Sequence, residues 1–172
     1  MFLPDKRFGK HTIAGETFEL PDGLFGMALS KKKQEDDDRL LYFHSLASIQ
    51  ENAVPLDILN NGPLWEMDKQ SVPWAFTPIG QRKSQTPAEA MDKNGNLWFV
   101  LMEPIALACW DSSTDYSPNN IKLILRNEET LQFASGMKVV DTKSGDEELW
   151  ITTIRFQVSF QIKSICIDIF IK

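Results

Sequence analysis

Small and apolar residues, a polar break, and a bulkier aromatic run follow one another three times along this chain. The first copy is Phe25-Gly26-Met27-Ala28-Leu29-Ser30, then a charged segment, then Arg39 to Ser48. The second is Ala88-Glu89-Ala90-Met91-Asp92, a short turn, then Asn96-Leu97-Trp98-Phe99-Val100-Leu101. The third runs from Ala134 to Val139, through a polar loop, to Glu148-Leu149-Trp150-Ile151-Thr152-Thr153. Each copy reads as a strand ending near a methionine, a hairpin, and a second strand. Turn signals punctuate the chain at Pro21-Asp22-Gly23, Asn60-Asn61-Gly62-Pro63, Lys93-Asn94-Gly95, Ser117-Pro118-Asn119-Asn120 and Ser144-Gly145-Asp146. Ile121 to Leu125 supplies another short β-rich run. Gln85 to Met91 could make one helical turn, but Pro87 and the hairpin that follows favour a strand. Units of roughly 40–50 residues built from strands and a hairpin are the sequence form of β-propeller blades. The pattern predicts an all-β fold, an incomplete propeller of about three blades.

Three segments stand outside the pattern. Lys31 to Asp38 is a basic run followed by an acidic one, read as a solvated hairpin tip. Residues 62–80 hold Pro63, Trp65, Pro73, Trp74, Pro78 and Gly80 and read as a long irregular connection. The tail, residues 158–172, alternates Ile165, Ile167, Ile169 and Ile171 and is strand-prone if it forms anything. It is read as unrelated to residues 1–157. Its opening Val158-Ser159 is what a common splice-donor sequence encodes in frame, so a translated intron is the expectation.

Composition narrows the classes. A chain of 172 residues with 42% hydrophobic and 24% charged content can bury a core as one soluble domain. A net charge of −6 argues against a nucleic-acid footprint, which needs a basic patch. No apolar run reaches the ~18–20 residues of a membrane span. The start, Met1 to Arg7, lacks the basic-then-apolar pattern of a signal peptide. Cys109 and Cys166 are read as buried free thiols, although one disulfide is possible between them.

Whole phrases carry a resemblance. Phe18-Glu19-Leu20-Pro21-Asp22-Gly23-Leu24-Phe25-Gly26-Met27-Ala28-Leu29-Ser30 and Leu41-Tyr42-Phe43-His44-Ser45-Leu46-Ala47-Ser48 are similar to the insect yellow / major royal jelly protein family. So are Glu51-Asn52-Ala53-Val54-Pro55, Ile105 to Asp111, and Glu129 to Gly136, in cover that is nearly continuous to Gln157. The resemblance implies a six-bladed propeller, secretion, and roles in insect pigmentation, cuticle or secretions. It also implies a small aromatic amine or catechol ligand in a central cavity, and the candidate ligand-binding residues of this chain are Phe25, Arg155 and Phe156. Amine binders of the family typically show Asn before Arg-Phe. This chain has Thr153-Ile154-Arg155-Phe156, so only Phe156 carries over.

Some yellow-family members convert dopachrome, chemistry that needs an acid or base and a cation for the substrate carboxylate. His11, His44 and Arg155 are the available groups. His44 alternates with Tyr42 and reads as a packed or surface residue. Arg155 could clamp a carboxylate in two-pronged fashion or pair with an acidic neighbour. No catalytic residue is assigned. Two histidines do not make a three-His metal centre. Asp92 to Glu103 half-matches a calcium loop, but Asn94-Gly95 fits a tight hairpin better. No metal or cofactor is expected. Trp98, Trp110 and Trp150 read as packing residues. The alternative to a binder or converter of aromatic ligands is a non-enzymatic cuticle or secretion protein, or an inactive truncated product. Open blade edges would favour self-association.

Overall fold

In this computed structural model residues 2–32, 39–67 and 72–159 are described. The chain opens with a hairpin, β1 (Lys10–Ile13) and β2 (Glu16–Glu19), that the sequence pattern did not single out. Its turn, Ala14-Gly15, places both residues at positive φ, 50° and 84°, which matches the twist of paired strands. The first sheet holds β3 (Leu24–Leu29), β4 (Leu40–Ser45) and β5 (Gln50–Pro55). Two short helices follow, α1 (Leu56–Asn60) and α2 (Gly62–Met67), before the fourth strand, β6 (Thr77–Gln81). The second sheet is β7 (Glu89–Met91), β8 (Asn96–Met102), β9 (Ile105–Asp111) and β10 (Ile121–Arg126). The third has β11 (Phe133–Asp141) and β12 (Glu147–Ile154), followed by α3 (Phe156–Ser159).

Each sheet is antiparallel and keeps chain order from one edge to the other. The edge strands β3, β7 and β11 stand side by side, with β7 touching both of the others. This is the arrangement of a partial propeller, and among the described residues no sheet closes into a barrel. The all-β expectation holds, and the three copied hairpins fall on β3–β4, β7–β8 and β11–β12. Only the first two sheets have four strands. Gln85 to Met91 ends in strand β7, as its proline implied.

Alternation along β8 explains the packing, because successive side chains point to opposite faces. Leu97, Phe99 and Leu101 are buried toward the first sheet, where they meet Ala28, Tyr42 and Ala53. Val100 and Met102 face the other way and share a core with Phe133 and Ala134 of β11 and with Ile13 and Phe18 of the first hairpin. On the far side of the first sheet, Phe43 and Val54 are covered by Ile58, Leu59, Leu64 and Trp65 of the helical segment. Beyond that cover β3 is bare. Met27 is 54% and Leu29 39% exposed.

Hairpin tips add a second set of ties. Lys31 Nζ donates to the Asn94 carbonyl at 3.1 Å, linking the first sheet to the second. The Lys93 amide donates to the Glu147 carboxylate at 2.9 Å, and Lys93 Nζ to the Gly145 carbonyl at 2.8 Å, linking the second to the third.

Two expectations change. The stretch 62–80 is not an irregular connection: it contains α2 and strand β6. Pro78 is tolerated there because β6 is an edge strand, which needs no ladder donor on its open side. Trp150 is 41% exposed, since among the described residues no further strand or sheet lies beyond β12. Trp110 is buried as expected, and Trp98 is half-buried with Nε1 donating to Asp92 at 2.9 Å. Cys109 is a buried free thiol. Residues 33–38 of the charged tip, and residues 160–172 of the tail with Cys166, lie outside the described residues.

Gly80 bridges to Tyr116 between the first two sheets, and a Cβ there would overlap the Tyr116 carbonyl oxygen. Gly80→Ala should therefore lower stability by about 1–3 kcal/mol, the range for forcing extra volume into a packed site. Urea unfolding would measure it, and an unchanged midpoint would remove this contact from the account.

Candidate functional site

Four ionisable side chains meet in the interior where the first two sheets join. His44 comes from β4, Glu51 from β5, Arg82 from the residue after β6, and Glu89 from the first position of β7. All four side chains are sealed from solvent. His44 Nδ1 lies 3.1 Å from Glu51 Oε2 and 3.1 Å from Glu89 Oε2. Its other nitrogen, Nε2, lies 3.0 Å from the Thr86 carbonyl. A carbonyl only accepts, so Nε2 carries a proton and Nδ1 is left to face the two carboxylates. Arg82 Nη1 donates to Glu51 Oε2 at 2.6 Å and to the Tyr116 hydroxyl at 3.2 Å.

Charge accounting fixes the state of this joint. Glu51 and Arg82 cancel. A neutral His44 beside an ionised Glu89 would leave one buried negative charge, whereas one added proton on that pair leaves none. Each shift agrees in direction. Burial and then Arg82 push the His44 pKa down, but Glu89 and Glu51 outweigh them and hold it above its ordinary 6.5. Burial disfavours the Glu51 carboxylate, yet His44 and Arg82 hold its pKa below the ordinary 4.5. Burial and then Glu51 raise Glu89 above 4.5, against the pull of His44 and Arg82. One proton is shared between His44 and Glu89.

The same donors have metal-ligand chemistry, because one ligand atom from each of His44, Glu51 and Glu89 lies within 4.8 Å of the others. Arg82 argues against that use. Its guanidinium already occupies Glu51 Oε2, and a divalent cation would leave the sealed joint with net positive charge. The shared proton satisfies both carboxylates without that excess.

Next to the joint lies an aromatic group. Gly26 of β3 sits against the His44 ring, so closely that a Cβ would overlap His44 Cε1. Its neighbour Phe25 lies in a register shift between Leu24 and Gly26, a bulge that redirects the side chain. The Phe25 ring is 37% exposed and meets Phe133 edge-on, with centroids 6.3 Å apart. Phe133, the first residue of β11, is stacked on Phe156 at 4.7 Å. Phe156 in turn meets Phe18 at 5.7 Å. Two of the three ligand-binding residues expected from sequence, Phe25 and Phe156, thus converge on a ring the sequence reading missed. Arg155 does not join them. Its exposed side chain has no hydrogen-bond or ion-pair partner among the described residues, so the pairing with an acidic neighbour is not observed there. Of the acid–base candidates, His44 is locked in the joint. His11 is also buried, with Nε2 on the Leu20 carbonyl at 3.0 Å, and burial lowers its pKa.

Asp92, first residue of the half-matched calcium loop, serves the β7–β8 hairpin instead. Its Oδ1 accepts the Asn94 and Asn96 amides at 2.9 and 2.8 Å, and its Oδ2 the Trp98 indole. The joint escaped sequence reading because its members lie far apart in the chain. The available signal was Glu89, a carboxylate between two alanines on a strand that the other two copies build without an acidic residue at the matching place before the methionine.

A sheet-by-sheet ring segment with a buried ionic joint and aromatic edge strands is a β-propeller part. The sequence profile of the family described as Major royal jelly protein matches residues 1–164. The chain is 31% identical over 161 residues to dopaminechrome tautomerase of Drosophila melanogaster, covering 91% of this chain and 34% of that protein. It is 31% identical over 168 residues to major royal jelly protein 9 of Apis mellifera, covering 91% and 36%. Protein yellow of Drosophila melanogaster is 31% identical over 160 residues, covering 91% and 28%. The chain belongs to the major royal jelly protein family. It spans about a third of the length of these curated relatives.

Proton sharing dictates how stability depends on pH. Above pH 6.5 the unfolded chain releases the His44 proton while the folded joint keeps one, so stability falls as pH rises until the folded pair lets go. Below 4.5 the unfolded Glu51 takes a proton that the folded one refuses, so stability falls as pH drops through the folded value. In Glu89→Gln the amide can donate to Nδ1 without any titrating proton. Melts of that variant should lack the alkaline loss attributable to this pair. Glu51→Gln strands the Arg82 charge and should cost about 3–5 kcal/mol. Equal effects from the two variants at every pH would refute the shared-proton assignment.

Proposed function

We propose that this chain supplies the aromatic wall of a ligand site in a secreted yellow-type protein, and that the ligand is a small aromatic amine or catechol. The grouping of Phe25, Phe133 and Phe156 carries the reading. The partly open Phe25 ring and the half-buried Phe156 ring, both braced against the buried Phe133, offer aromatic surface to a planar guest. The name of the relative dopaminechrome tautomerase puts aromatic aminochrome chemistry within the family. Binding is favoured over conversion, because both histidines, the acid–base candidates, are buried and engaged in the interior. Arg155, beside Phe156 and without a partner among the described residues, is the cation available to an anionic group on the guest.

Calorimetric titration with serotonin and with dopamine tests this. Phe25→Ala should weaken binding by about 0.5–1.5 kcal/mol per lost ring contact, roughly threefold to tenfold in Kd. Retained affinity in both Phe25→Ala and Phe156→Ala would discard the aromatic site and leave the non-enzymatic cuticle or secretion role.

A second observation favours self-association of the isolated chain. The bare apolar row on β3 and the unpaired edge of β12 are the surfaces a second copy would cover. Sedimentation should show oligomers that Met27→Lys combined with Leu29→Lys diminishes. A monodisperse wild-type monomer would contradict it.

A further inference from the structure

We propose that His44 and Glu89 are positioning residues for the aromatic site: the proton they share holds the start of β3 in place, and guest affinity falls when it is lost. The inference rests on the aromatic reading above and adds its control.

Geometry makes the connection. Gly26 has no side chain, and its backbone lies directly on the His44 ring. Phe25, one residue earlier, is the exposed ring that meets Phe133. Whatever moves the imidazole therefore presses first on the segment that aims Phe25. The imidazole is held on every side. Glu51 faces it from β5, Glu89 from β7, and the Thr86 carbonyl from the segment before β7. Arg82 lies behind Glu51, and Tyr116 behind Arg82.

Removing the shared proton changes that balance in one direction. Nδ1 then presents a lone pair to two carboxylates, and the joint carries one uncompensated negative charge. Arg82 can offset only one of the two carboxylates, and it is already committed to Glu51. Glu89 Oε1 has no hydrogen-bond partner among the described residues and Glu89 Oε2 is held by His44, so the Glu89 carboxylate loses its donor when that proton leaves. The carboxylates and ring must separate. Glu89 is paired with Phe99 of β8 and Glu51 with Gly80 of β6. The start of β3, where Gly26 lies on the ring and the partly exposed Phe25 precedes it, is the yielding wall.

Serotonin titrations of the whole chain at intervals from pH 6 to pH 9 test the proposal. For the wild type, affinity should fall as pH rises, by up to about tenfold per pH unit, the limit for loss of one proton. Glu89→Gln should lose the pH dependence, binding with the same affinity at pH 9 as it does at pH 6. Binding that stays level in the wild type across this range would overturn the positioning role while leaving the aromatic site standing. Absence of binding at every pH would overturn the aromatic site and this inference with it. Should Glu89→Gln not fold, the wild-type profile decides alone.

Discussion

The fold turns on an ion network that has no contact with water. His44, Glu51 and Arg82 belong to the first sheet and its exit segment, and Glu89 opens the second. Apolar packing between those sheets is non-directional and would tolerate sliding. A buried charge with one acceptable partner does not. The network therefore sets the angle at which Leu97, Phe99 and Leu101 meet Ala28 and Ala53, while the apolar contacts supply most of the favourable free energy. Small residues on the first sheet and large ones on the second are what the fixed approach requires.

The two interfaces around the second sheet work differently. Toward the first sheet, packing and ionic bonds act together, with Tyr116 edge-on to Trp110 at 4.8 Å and its hydroxyl accepting from Arg82. Toward the third sheet, apolar and aromatic contact dominates: Val100 and Met102 share a core with Phe133, which carries Phe156. The first interface is rigid and charge-specific. The second is adaptable, and it is where the exposed ring Phe25 comes to rest.

Local patterning was legible at every hairpin with a clear turn and alternating apolar residues, so β3–β4, β7–β8 and β11–β12 could be read directly. Strand β6 was not, because Pro78 and Gly80 are breakers in isolation and acceptable only at a sheet edge. The β1–β2 hairpin was hidden by its shortness and by Ala14, a poor turn marker. Trp150 looked like core because its neighbours in sequence are core-like, and exposure depends on what lies beyond β12. At the site, Phe25 and Phe156 were named as candidates from the sequence. Phe133 was not, since nothing in a single sequence distinguishes a stacked ring from a packed one. Glu51 and Arg82 are unremarkable residues until the fold brings them together across two turns.

The ties between hairpin tips have a mechanical corollary. Lys31 on Asn94 and Lys93 on Glu147 and Gly145 clasp the three sheets at the ends of β3, β7 and β11. Phe25 and Phe133 sit at the opposite ends, where those strands begin. Between the first two sheets His44 and Glu89 fasten the opposite margin as well, so among the described residues only the junction of β7 with β11 has its polar ties at one margin alone. Any parting of the sheets would therefore fan open at that second junction, from a pivot at the hairpin tips, and the guest proposed above would enter and leave there.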